Sequence, residues 1–266
     1  AELLHNALAE KKFQYVVLAL PEEKGFVRTI HMPEVAPEEI RDAIALQLEE
    51  HIPLPPEETS FAYHVLPENH PNTIDVLIAA YPASLISAYR DTANQAGFTP
   101  VALEIESQAI ARSVVPVSKE EEAALVVDIG LTRTSFLFAK NGYTQLTSTM
   151  PIGGHTMHES IMKALNVSRE KAEQLKKEQG LSHATDARPV RDALLPLIDS
   201  VQNEIQRRME FWQEKMREET RARTVPNLHH IYLCGREANL IGLPQHITSR
   251  LDVPASLANV WVNALF

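Results

Sequence analysis

A chain of 266 residues with 25 Lys and Arg against 35 Asp and Glu has a formal charge of −10, which argues against nucleic acid as a partner. Its 44% hydrophobic and 23% charged residues exclude disorder of the low-hydrophobicity, high-charge kind. The one cysteine, Cys234, rules out an internal disulfide and a thiolate-rich metal site, and no apolar run reaches the roughly 18–20 residues of a membrane span. The first residues lack a signal-peptide layout, so a cytoplasmic chain that meets a membrane only through a partner is expected.

Residues 1–11 read as the end of a helix, with Leu3, Leu4, Ala7 and Leu8 on one stripe. Two strands follow, Tyr15 to Leu20 and Phe26 to Ile30, and then a helix after Pro37 whose Ile40, Ala43, Ile44 and Leu48 keep helical spacing until Pro53. Ser60 to Leu66 and Thr73 to Tyr81 read as strands around a turn at Pro67–Pro71. Next come a helix from Pro82 to Ala96, a short strand near Val101 and a helix from Ser107 to Ser113. After a charged hinge-like stretch, Lys119 to Glu122, the pattern restarts with strands at Ala124–Asp128, Thr134–Lys140 and Tyr143–Met150. Helices at Gly154–Leu165 and Ser168–Glu178 lead to a long one from about Arg188 to Arg221. Its Leu194, Ile198, Val201, Ile205, Met209, Trp212 and Met216 form one buried face. A strand at His230–Cys234, a loop to Gly242 and a helix at Pro244–Leu251 close the pattern.

Nine glycines in 266 residues are fewer than half the roughly 7% of an average protein, so each one calls for a reason. Five fall in three short loops. Asp128-Ile129-Gly130-Leu131-Thr132-Arg133-Thr134 ends a strand with a carboxylate, a glycine and hydroxyls, a set suited to phosphate and magnesium or to a plain β-hairpin. Pro151-Ile152-Gly153-Gly154-His155 puts two glycines at a helix N-terminus, either an anion site or a ligand-free turn. The loop from Cys234-Gly235-Arg236-Glu237 to Gly242 follows the last apolar strand and alone reads as a strand-to-helix turn. His155 with His158 lacks a third ligand at useful spacing, and Cys234 reads as an inert core residue.

Taken in order, strand-Asp-Ile-Gly-x-Thr-x-Thr, Pro-x-Gly-Gly-helix, a long helix with Glu204 and a final strand-x-Gly resemble the actin-like ATPase superfamily, and within it the PilM family of type IV pilus assembly, related to FtsA. Val27 to Leu66, Val126 to Phe138, Pro151 to Leu175, Val201 to Gln213 and Ile231 to Pro254 carry the likeness. It implies an α/β, actin-like (ribonuclease H-like) ATPase fold with an inserted strand-helix-strand-strand subdomain. Residues 1–14 would end a truncated first lobe, 15–114 form the inserted subdomain with its connecting helices, and 115–266 form the second lobe.

The resemblance assigns phosphate and magnesium to Asp128, Gly130, Thr132, Thr134, Gly153 and Gly154, and adenosine to Glu204, Arg207, Arg208, Gly235 and Arg236, with no catalytic residue identified. The implied cofactors are ATP and Mg. The implied partner is the short cytoplasmic tail of a PilN-like inner-membrane protein, docking on the small subdomain and its seam with the core; self-association is also open. Two departures stand out. The first phosphate loop, expected upstream of Tyr15, is missing, and Arg236 replaces a second glycine. They leave three readings: an ATP-binding scaffold, a nucleotide-free relative, and a small-molecule kinase, for which no spare strand-end Asp presents itself as a base.

Overall fold

The computed structural model describes residues 1–8, 13–70, 72–116, 123–140, 142–220 and 228–263. The charged stretch Lys119–Glu122 lies outside the described residues. The chain divides into two compact units, Ala1–Ala109 and Ile110–Phe266. The division falls inside a helix, and Ala111, Val114 and Val115 bury against Ala124, Val126 and Leu137 within the second unit.

The first unit runs α1 (Glu2–Leu8), β1 (Tyr15–Leu20), β2 (Phe26–Pro33), α2 (Ile40–His51), β3 (Thr59–His70), β4 (Thr73–Pro82), α3 (Ala83–Gln95) and β5 (Thr99–Ile105), and α4 (Glu106–Val114) crosses to the second. Strands β2, β4 and β3 form an antiparallel sheet in that order. Helix α2 packs on one face of it: Ile40, Ile44 and Leu48, each four residues apart, meet Ile30, Met32, Ile74, Val76 and Ile78. The strand-helix-strand-strand order therefore spans 26–82. Strand β1 is not part of it and pairs in parallel with β5, Tyr15 opposite Thr99 and Leu20 opposite Ile105. Strand β3 continues through the expected turn as far as His70, with a register shift between Val65 and Asn69.

The second unit holds β6 (Ala123–Ile129), β7 (Thr134–Lys140), β8 (Tyr143–Met150), α5 (Gly154–Leu165), α6 (Arg169–Gln179), α7 (Arg188–Thr220), β9 (Leu228–Cys234), α8 (Leu243–Leu251) and a three-residue β10 (Ala255–Leu257). The sheet order is β10-β9-β6-β7-β8. Alternation along β6 gives each face its own core. Leu125, Val127 and Ile129 join Phe136 and Phe138 against Met157, Ile161, Leu194, Ile198 and Ile205 of the helices. Ala124 and Val126 face Ala111, Val114 and Val115 on the other side. The Trp212 ring of α7 stacks on Phe138 with centroids 5.5 Å apart.

Candidate functional site

Strands β6 and β9 run parallel, and β8 runs antiparallel to β7, which runs antiparallel to β6, so β6, β8 and β9 all end at the same edge of the sheet. Topology alone thus collects the three glycine loops. Their contacts are close. The N–H of Gly154 donates to the Gly130 carbonyl at 3.0 Å and that of His155 to Leu131 at 2.8 Å. A Cβ on Gly153 would stand 2.7 Å from the Gly130 oxygen and 2.8 Å from the Arg133 nitrogen, so only glycine lets the two turns meet. Gly235, at φ +84°, passes so near Asp128 that a Cβ there would overlap the carboxylate.

Several donors in this corner have partners within the chain. The N–H of Gly130 donates to Arg133 at 2.9 Å and closes a four-residue hairpin loop between Ile129 and Thr134. The N–H of Gly153 donates to the Thr156 hydroxyl at 3.0 Å. The buried Thr134 hydroxyl donates to the Ile152 carbonyl at 2.8 Å and ties the start of β7 to the turn before α5, while Thr132 is exposed. Asp128 shares a register position with Cys234, whose thiol donates to its carboxylate. Burial, and then the Asp128 charge and bond, push that thiol up to about 12, which keeps it protonated and unreactive.

Beside the loops lies a buried charge cluster that sequence reasoning missed. Lys176 of α6 and Glu237 of the loop after β9 form an ion pair, and the two side chains are 6% and 4% exposed. Arg236 pairs with Glu173 of α6 at the exposed rim. Glu237 Oε1 accepts no hydrogen bond and lies against Gly154. His158, one turn further along α5, is buried with neither ring nitrogen bonded. Burial, then the Lys176 charge, lowers its pKa and holds it neutral. A usable signal was present in α6: Lys176 stands four residues after the buried Ala172, on the inward stripe.

The helix residues are not drawn into the same corner by these bonds. Glu204 bonds Arg208 at 2.6 Å and Arg207 at 2.5 Å, both within α7. That helix packs on the Leu125–Val127–Ile129 face, whereas alternation turns Asp128 to the other. Glu204, Arg207 and Arg208 are joined to one another along α7.

The family model described as type IV pilus assembly protein PilM matches residues 2–265. The chain belongs to the PilM family. Among solved structures it resembles a chain of the PilM-PilN type IV pilus biogenesis complex, at 22% identity and a TM-score of 0.78 over 97% of this chain and 75% of that one. It also resembles MreB5 of Spiroplasma citri bound to ADP, at 15% identity and a TM-score of 0.58 over 98% and 70% of the two chains. For MreB5 bound to AMPPNP the values are 15% and 0.53 over 66% and 60%. These likenesses establish the actin-like α/β fold expected above. In this PilM-family chain the corner fits ATP and magnesium poorly. The amides of Gly130, Gly153, Gly154 and His155 are already bonded within the chain, and Arg236 and Glu237, beside Gly235, are paired with Glu173 and Lys176 of α6.

Proposed function

We propose that the chain is an actin-like scaffold of type IV pilus assembly that docks the short cytoplasmic tail of a PilN-like inner-membrane protein, and that it does so without nucleotide. The observation that carries the reading is the match to the PilM family over residues 2–265, joined to the likeness to a chain from a PilM-PilN complex. No helix among the described residues is long and apolar enough to cross a membrane, in keeping with attachment to the inner membrane through the partner. We place docking on the first unit, because several loop donors of the second are engaged in its own turns.

Two versions of the scaffold were open, one with ATP and one without. The bonded amides, the Thr134 hydroxyl committed to Ile152, and the ion pairs of Arg236 and Glu237 favour the second. Calorimetry with a synthetic peptide of the tail of the PilN-like protein from the same organism tests the docking, and saturable binding that is unchanged by Mg·ATP is expected. No binding under any condition would overturn the scaffold reading.

A further inference from the structure

Three ties hold the loop after β9 onto α6 and the residues that follow it. The Leu181 N–H donates to the Ile241 carbonyl at 2.8 Å, Lys176 pairs with Glu237 in the interior, and Arg236 pairs with Glu173 at the rim. The Glu237 carboxylate also fills the space in front of Gly154, so the loop is backed by the first turn of α5. We propose that Arg236 and Glu237 are a built-in charge clamp that does at this loop what a bound ligand would do: it holds loop and helix together and keeps a purine nucleotide out. This rests on the nucleotide-free reading above and gives it a physical device.

The asymmetry of buried ion pairs carries the argument. A pair already formed and desolvated adds little over an apolar pair of the same shape, but separating it leaves an uncompensated charge in the interior. A ligand wedged between Glu237 and Lys176 would have to separate such a pair. Its affinity would fall by about two to three powers of ten, enough to move micromolar binding to millimolar or beyond. The Arg236–Glu173 pair is solvent-exposed and adds little energy, but it ties the same loop to α6 a second time.

Hydrogen exchange on the whole chain, with and without millimolar Mg·ATP or Mg·ADP, tests the clamp. The amides of 235–242 and 169–181 are expected to be protected without nucleotide and unchanged when it is added. Glu237→Gln is expected to speed their exchange at least about tenfold while α7 stays as it was. The double change Lys176→Met with Glu237→Leu, which removes both charges together, is expected to restore protection. Slower exchange in the wild-type loop on adding either nucleotide would overturn the clamp, whatever the variants do, and so would a Glu237→Gln loop that exchanges as the wild type does. The tail peptide is titrated into the same samples. Loss of peptide binding with the exchange pattern intact would count against the scaffold alone, and peptide binding with a nucleotide-protected loop against the clamp alone.

Discussion

Gly153 shows how one missing Cβ shapes the corner. With backbone atoms of Gly130, Leu131 and Arg133 all within 2.8 Å of where that atom would be, Gly153→Ala must push two turns apart. A loss of at least about 1–3 kcal/mol is expected in urea unfolding, as for other overpacked sites. Gly142 gives the contrast: its φ is +79° but the surrounding space is open, so Gly142→Ala should lose only about 1 kcal/mol through the backbone. If the two changes proved equal, close approach would not be the reason for glycine at 153. Cys234 offers a second test. Asp128→Asn removes a charge that holds the thiol high, so Cys234 should alkylate faster at mildly alkaline pH than in the wild type. His158 and His230 are both held below their ordinary value, each chiefly by burial. Between the unfolded value near 6.5 and the lower folded values, the unfolded chain binds more protons. Their contribution to stability is therefore complete above about pH 6.5 and is lost as the pH falls below it. Unfolding curves at about pH 7.5 and about pH 5.5 should show the drop, and His158→Gln should reduce it.

Among the elements, α7 is the most legible, and it carries a proline inside it. Its three-and-four spacing gave the buried face from the sequence: Leu194, Ile198, Val201, Ile205, Trp212 and Met216 bury, while Met209 is only partly buried. Pro196 stands exposed within the helix, where it has no N–H to donate back to Asp192. Pro196→Ala should restore that bond and raise stability by about 1–3 kcal/mol, read as a higher urea midpoint at unchanged slope. Helix α6 was legible as a helix but not as part of a site. Its run of Glu, Lys and Gln looks like a solvated face, and Lys176 is buried only because Glu237, 61 residues later, waits for it. Strand β1 is a similar case: its partner β5 is remote and parallel, with no turn between them to give the pairing away. Strand β10 is only three residues long and leaves no period to read.

At the scale of the whole molecule, the order of loops was more informative than the residues within them. Strands ending near Asp128, Met150 and Cys234 could be marked from the sequence, and the sheet does bring the loops after them to one edge. What those loops bind could not be read in the same way, because a glycine that frees an amide for phosphate and a glycine that lets two turns touch look alike in a sequence. The difference lies in where the N–H points, and here Gly154 and Gly130 point inward to their own chain.

The pairing of β6 with β9 has a consequence for synthesis. Ala123 lies beside Leu228 and Asp128 beside Cys234, so the central strand of the second unit receives its parallel neighbour about a hundred residues after it leaves the ribosome. At roughly 5–20 residues per second, the edge of β6 waits about 5–20 s, and its Ala-Ala-Leu-Val-Val run is the kind of segment that associates with other chains. Nascent chains halted before Leu228 should therefore recruit holdase chaperones, and chains released past Leu257 should shed them.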